Sequence, residues 1–284
     1  MRELTGRVAV VTGAGSGIGR ALALRFAAEG MRVALADVQP DALEETRRAL
    51  AGAVPAGTGT IAQVTDVGDE ASVQALADRV YDGFGAVHLL CNNAGVFAGG
   101  QMWSRPAADF EWVLRVNLWG ILHGVRAFVP RMLDQDSEGH VVNTCSVAGL
   151  FAAPFTGPYT VSKFAAYAAT ETLAHEFAMT GAKLRASALC PGGVATGIHR
   201  SGRNRPDALA ADPTDDQRFI DTVIADTVAD GIEPAAVADA VVDAVRAERF
   251  LVLTHPSYAA GLSGRAAALA EGALPGLPDF ESRG

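Results

Sequence analysis

The chain has 284 residues, 49% of them hydrophobic, with 23 Lys and Arg against 32 Asp and Glu and a formal net charge of −9. That acidic balance excludes a general nucleic-acid-binding surface, which needs basic stripes. Mean hydropathy is +0.19, yet charges break every apolar run before the roughly 18 residues of a membrane span, so no membrane partner is expected.

Strand-length apolar runs alternate with longer helical patterns along the chain. Val8–Val11 is the first run, followed by helical periodicity from Ile18 to Ala28. Arg32–Ala36 is the second, with a helix near Ala42–Leu50. Ile61–Thr65 precedes a helix over Glu70–Phe84, and Val87–Cys91 precedes a long helix over Phe110–Leu133. His140–Cys145 leads to a helix over Tyr159–Met179, and Lys183–Leu189 follows. A helix near Ala235–Glu248 and the run Phe250–Leu253 complete the series. Strands that read as unbroken apolar runs are buried on both faces, as a parallel sheet requires. The alternation therefore predicts an α/β fold. It is a doubly wound, mostly parallel seven-stranded sheet with helices on both faces (Rossmann-type), in a single domain.

Two segments break the rhythm. Residues 197–231 are polar and read as a loop carrying Arg200, Arg203 and Arg205. Residues 256–284 read as a tail with a short helix and a loose end. The N-terminus runs straight into the first strand with no apolar leader, so no signal peptide is expected. Cys91, Cys145 and Cys190 are scattered at strand ends, which fits small buried hydrophobes in a reducing cytoplasm and no metal site.

Between the first strand and helix lies Thr12-Gly-Ala-Gly-Ser-Gly-Ile-Gly19. Glycines allow a sharp turn and close approach of a ligand to the backbone. The helix N-terminus behind them carries free N–H donors and about half a positive charge, so a pyrophosphate is the natural ligand. The alternative is a tight structural turn. Asp37 ends the second strand, 18 residues after Gly19. That is close to the spacing of an acid that accepts hydrogen bonds from an adenosine ribose. Such a carboxylate repels a 2′-phosphate, and Val38, Gln39 and Pro40 supply no cation, so NAD is favoured over NADP. A helix N-cap is the other reading of Asp37.

Tyr159 and Lys163 stand four residues apart on a predicted helix, hence one turn apart on one face. An ammonium favours the ionised phenol and is expected to lower its pKa from about 10, fitting Tyr159 for proton transfer.

In their order along the chain these motifs resemble the short-chain dehydrogenase/reductase family. The resemblance covers roughly residues 5–196 and returns near Phe250–Leu253. It rests on the glycine turn, Asp66-Val67, Asn92-Asn-Ala-Gly95, Asn117, Ser146, Tyr159-x-x-x-Lys163, and Pro191-Gly192 with Thr196. Ser146 lies thirteen residues before Tyr159, the family interval. The resemblance implies a catalytic set of Asn117, Ser146, Tyr159 and Lys163. It implies cofactor contacts from Gly13, Ser16, Gly17, Ile18, Gly19 and Asp37, with Asp66 and Val67 on the adenine. Asn93, Ala94 and Gly95 would lie beside the nicotinamide ribose, which Tyr159 and Lys163 would also touch. Pro191, Gly192, Val194 and Thr196 would hold the carboxamide. Ser146 would donate to the substrate oxygen and Asn117 would hold a water linking Lys163 to solvent.

On this reading residues 1–255 form one dinucleotide-binding and catalytic unit, with a substrate lid at about 197–231. The reaction would be hydride transfer between a secondary alcohol, or its ketone, and NAD. An NADP(H)-dependent carbonyl reductase and a non-catalytic NAD(H)-sensing protein are the alternatives. A homodimer or homotetramer through the helices over 110–133 and 159–179 is also implied. Phe97, Met102, Trp103, Phe151 and Phe155 either line an apolar substrate pocket or pack against the lid or a neighbour. His199 and the three arginines either meet an anionic substrate or are solvated.

Overall fold

The computed structural model describes residues 1–51, 59–210 and 212–277. Its seven strands are β1 (Val8–Thr12), β2 (Arg32–Asp37), β3 (Thr60–Val64), β4 (Leu89–Asn92), β5 (Gly139–Thr144), β6 (Leu184–Cys190) and β7 (Leu251–Leu253). They form one parallel sheet in the order β3-β2-β1-β4-β5-β6-β7. The helices are α1 (Gly17–Ala28), α2 (Pro40–Ala51), α3 (Glu70–Phe84), α4 (Ala107–Leu114), α5 (Gly120–Asp134), α6 (Gly157–Thr180), α7 (Asp215–Ala229), α8 (Pro234–Ala247) and α9 (Ser257–Ala270).

Strand periodicity divides the core into two layers. Ala9 and Val11 of β1 and Val33 and Leu35 of β2 pack with Leu22 and Phe26 of α1 and Val241 and Val245 of α8. Their neighbours Val8, Val10, Ala34 and Ala36 face the other way. They pack with Leu76 and Val80 of α3, Phe128 of α5 and Phe177 of α6. Since successive side chains of a strand point to opposite faces, an unbroken apolar run requires a helix layer on each side. The chain builds outward from β1 to β3 and then returns to place β4 on the other flank of β1. That reversal opens a crevice at the carboxyl ends of β1 and β4, where doubly wound sheets bind ligands.

The expected strands and helices are present, and two readings change. The long helix expected over 110–133 is α4 and α5 joined by a π-turn at Arg115–Trp119. Residues 197–231 are not a simple loop. They hold two short 3-10 turns, Ile198–Asn204 and Asp207–Leu209, and the fifteen-residue helix α7. Asp215 and Asp216 open α7 where its dipole favours negative charge. Only Ile220 and Val228 of α7 are buried, so its apolar stripe is too thin to read from the sequence. The tail contains α9, whose Tyr258 packs on Phe151, whereas the loose end beyond residue 277 lies outside the described residues. Among the described residues no helix is long and apolar enough to cross a membrane.

The turn after β5 fixes where α6 sits. A Cβ on Gly149 would lie 2.5 Å from the Lys163 carbonyl oxygen and 2.9 Å from its carbon, both backbone atoms that cannot rotate aside. Gly149→Ala is therefore predicted to destabilise the fold by about 1–3 kcal/mol, the cost of overpacking. A lowered midpoint in thermal or urea denaturation checks this, and a native midpoint would show that the contact is slack.

Candidate functional site

A cavity of about 270 Å³ runs along the carboxyl edge of the sheet. The glycine turn forms one side. Gly13, Ser16, Gly17 and Ile18 line the cavity, while Gly19 lies behind them. A Cβ on Gly19 would lie 2.1 Å from the Gly13 carbonyl oxygen. Gly13 itself has φ +66°, and a Cβ there would lie 2.9 Å from Ala94 Cα. The turn therefore requires both glycines. Ser16 occupies the N-cap of α1, but its side chain makes no capping bond, which leaves the first N–H groups facing the cavity without that partner.

Asp37 lies at the end of β2 on the cavity wall. Its Oδ2 accepts from the Gly15 N–H at 2.8 Å and its Oδ1 from the Gln39 N–H at 2.9 Å. Asp66 and Val67 line the wall further along. Asp69, three residues on, caps α3 by accepting from Ala71 N–H, so that cap does not occupy Asp66. Asp66 pairs with Arg115 at 2.8 Å.

Asn93, Ala94 and Gly95 form the floor, and a residue not singled out as a contact explains their shape. Thr12 Oγ1 accepts from the N–H groups of Asn93 and Ala94 at 2.9 and 3.1 Å. Asn93 Nδ2 donates to the Thr12 carbonyl at 3.0 Å, and Thr144 Oγ1 donates to Asn93 Oδ1 at 3.1 Å. The floor is thus tied to the ends of β1 and β5. Pro191, Gly192, Val194 and Thr196, which follow β6, close the far side.

Ser146, Tyr159 and Lys163 share one end of this cavity. Pro158 sits in the first turn of α6, where its missing N–H is harmless, and starts the helix just before Tyr159. Lys163 is 2% exposed, and its Nζ donates to the Thr144 carbonyl at 2.8 Å. The ammonium lies 5.6 Å from the centre of the Tyr159 ring. Ser146 Oγ accepts from Ala148 N–H at 3.0 Å.

Burial pushes the Tyr159 phenol up to about 12, with the Ser146 hydroxyl acting against that shift. Burial also lowers Lys163 to about 8, so it remains mostly charged at neutral pH. This corrects the expectation of a phenol lowered by its lysine. Removing the phenolate from water is the largest influence on the group.

Asn117 does not line the cavity. It occupies the middle of the π-turn, fully buried. Its Oδ1 accepts from Val96 N–H at 2.8 Å, and its Nδ2 donates to the Val96 carbonyl and to Ser162 Oγ, both at 3.0 Å. Its side chain is satisfied across the fold rather than within its helix. π-turns are uncommon and often mark functional sites.

The apolar candidates divide. The Phe97 ring lies 5.1 Å from that of Tyr159, and Phe155 packs edge-on against Phe219 of α7 at 5.4 Å. Phe151 turns to Tyr258, while Met102 and Trp103 are 53% and 83% exposed. Phe155 has φ +62°, a strained value for a bulky residue, and its carbonyl accepts from Gly100 N–H.

Sequence reasoning missed how residues 197–229 are held. Asp109, 1% exposed, stands between Arg205 at 2.6 Å and Arg105 at 3.4 Å. Arg105 also donates to Gln217 and Thr214, and Asp216 accepts from Gln101 N–H and Ser104 Oγ. Ser201 Oγ bonds both polar backbone groups of Phe97. Asn204 accepts from Gln39 Nε2 across the cavity mouth. No local motif marks these contacts, because apart from the i, i+4 pair Arg105–Asp109 and the local Ser104–Gln101 turn their partners are about a hundred residues or more apart.

A family model described as short chain dehydrogenase matches residues 7–207. A dehydrogenase/reductase of CLA biosynthesis from Lactiplantibacillus plantarum is 31% identical over 268 residues, covering 91% of each chain. A 2-(R)-hydroxypropyl-CoM dehydrogenase from Xanthobacter autotrophicus is 39% identical over 204 residues, covering 71% of this chain and 80% of that one. A short chain dehydrogenase/reductase from Burkholderia phymatum, crystallised in complex with NAD, superposes with a TM-score of 0.94. It is 44% identical, covering 98% of this chain and 99% of that one. The chain belongs to the short-chain dehydrogenase/reductase family of oxidoreductases.

Proposed function

We propose that the protein is an NAD-dependent oxidoreductase that interconverts secondary alcohols and ketones. The observation that carries this reading is the placement of Ser146, Tyr159 and Lys163 at one end of the cavity whose side is the glycine turn. The residues fit a dinucleotide: Gly13, Ser16, Gly17 and Ile18 line the cavity beside the start of α1, and the first N–H groups of that helix have no side-chain cap. Gly13, Ser16, Gly17 and Ile18 would hold the diphosphate, Asp37 the adenosine ribose, and Asp66 and Val67 the adenine. Asn93, Ala94, Gly95 and Lys163 would meet the second ribose, and Pro191 to Thr196 the carboxamide. The NAD bound by the Burkholderia phymatum relative supports the same assignment. Segment 197–229 serves as the lid over substrate and cofactor.

When bound, NAD⁺ supplies the hydride acceptor at its nicotinamide C4 and a positive charge. In oxidation, the alcohol O–H bond breaks and its proton goes to Tyr159 Oη. The carbon–hydrogen bond breaks with its electron pair leaving as hydride, and the C=O bond forms. In reduction, Tyr159 returns the proton to the nascent alkoxide. Ser146 donates a hydrogen bond to that oxygen, where charge accumulates, and is not a nucleophile. The Lys163 ammonium lies 5.6 Å from the centre of the Tyr159 ring, and a cation nearby favours the phenolate. That does not bring a phenol at about 12 to neutrality, so Tyr159 acts most readily as the acid near pH 7 and as the base in alkali.

Tyr159→Phe is predicted to lower kcat at least about a hundredfold while NADH affinity stays within about twofold, since acid–base catalysis is worth about 10²–10⁴. Steady-state rates with an NADH fluorescence titration check this, and a Phe variant with native turnover rejects the proton-transfer role. The pH dependence follows from a raised phenol pKa. The base form is scarce below it, so alcohol oxidation should climb toward alkaline pH while ketone reduction holds at neutral pH and declines as the phenol ionises. Equal oxidation rates at pH 6 and pH 9 would contradict the buried-phenol account. For cofactor choice, Asp37→Ala with Val38→Arg should raise the NADP-to-NAD ratio of kcat/KM at least about tenfold, the worth of one charge-assisted contact. An unchanged ratio removes Asp37 from the ribose.

A further inference from the structure

The three arginines of the lid have different surroundings. Arg205 is held by Asp109, donates to the Leu209 carbonyl and lies over the Trp112 ring. Arg200 is absent from the cavity wall. Arg203 lines the cavity, and its Nη1 donates to two backbone carbonyls, Arg200 at 2.8 Å and Gly197 at 3.4 Å. Three cations stand on this wall. Arg115 is paired with Asp66, and Lys163 is buried at the far end on the Thr144 carbonyl. Among the described residues no carboxylate lies within 4.0 Å of Arg203, whereas sixteen other ion pairs form, most of them on the surface.

Its position follows from a chain of close contacts. Gly17, the first residue of α1, abuts Thr196, so a Cβ on Gly17 would lie 3.1 Å from Thr196 Cγ2. Gly197 follows directly, and Arg203 rests on its carbonyl. The guanidinium is thus set beside the N-terminus of α1 and faces the same cavity. The neighbouring Asn204 is tied to Gln39 at the Asp37 end, which spans the cleft from the lid side. A diphosphate carries two negative charges, and one helix N-terminus offsets about half of one. A guanidinium adds a full charge and a planar fork of donors suited to phosphate oxygens.

We infer that Arg203 binds the diphosphate of the dinucleotide from the lid, beside the N-terminus of α1. The inference rests on the dinucleotide reading above. Nε and Nη2 of Arg203 are the free donors for this contact, because its two bonds to carbonyls both come from Nη1. Since Arg203 belongs to the lid, a ligand with a diphosphate also favours the closed lid, and adenosine alone does not.

Calorimetric titrations of the full chain with NADH, ADP, adenosine and adenosine 2′-monophosphate test this in the native protein, Arg203→Gln and Arg203→Lys. Arg203→Gln is expected to bind NADH and ADP about tenfold more weakly, with adenosine unchanged and a shallower dependence on salt. Arg203→Lys should fall between the two. Native affinity of Arg203→Gln for ADP overturns the assignment, as does an equal loss for adenosine. A loss confined to the 2′-monophosphate also overturns it, by moving Arg203 to the ribose. Failure of the native protein to bind NADH would instead show that the dinucleotide reading is wrong.

Discussion

Burial of the Lys163 ammonium is the constraint around which the site is arranged. It can donate three hydrogen bonds, and the protein supplies one acceptor, the Thr144 carbonyl. Such a group is costly unless its other donors find partners. The same burial raises the Tyr159 phenol and lowers the lysine. Tyrosine and lysine are thus both held away from their ordinary ionisation; hydroxyl acceptors would relieve the ammonium, whereas a positive charge would favour only the phenolate.

The backbone around this pair is fixed from several sides. Gly149 brings the turn after β5 against the Lys163 carbonyl, and Ser162 ties α6 to Asn117 in the π-turn. Asn117 in turn clamps the backbone of Val96 just beyond the floor residues. Thr12 and Thr144 grip Asn93 from the ends of β1 and β5. The floor, the Tyr159–Lys163 end and the glycine turn are therefore tied to one another through hydrogen bonds at the sheet edge.

The lid is held differently. Its contacts are mostly charged and polar, centred on buried Asp109 with Arg105 and Arg205. Removing one partner of such a cluster leaves an unpaired buried charge, which makes the closed arrangement specific as well as stable. Hydrophobic contacts are fewer: Phe155 on Phe219, and Ile220 against the segment after β4. A segment bound mostly by polar contacts can detach without exposing a large apolar face.

The sequence alone determined the parallel sheet, its two helix layers, the glycine turn and the Tyr159–Lys163 spacing. Each is encoded locally, in unbroken apolar runs, glycines at a strand–helix junction and a four-residue helical interval. The tertiary structure decided what depends on distant partners. The π-turn arises where Asn117 reaches Val96 and Ser162, and α7 survives on a thin stripe because Asp216 is fixed by the backbone of Gln101. Above all, the sign of the Tyr159 shift was hidden. Sequence spacing shows that a cation is near the phenol, but desolvation depends on how many other groups crowd around it, and only the packed fold sets that.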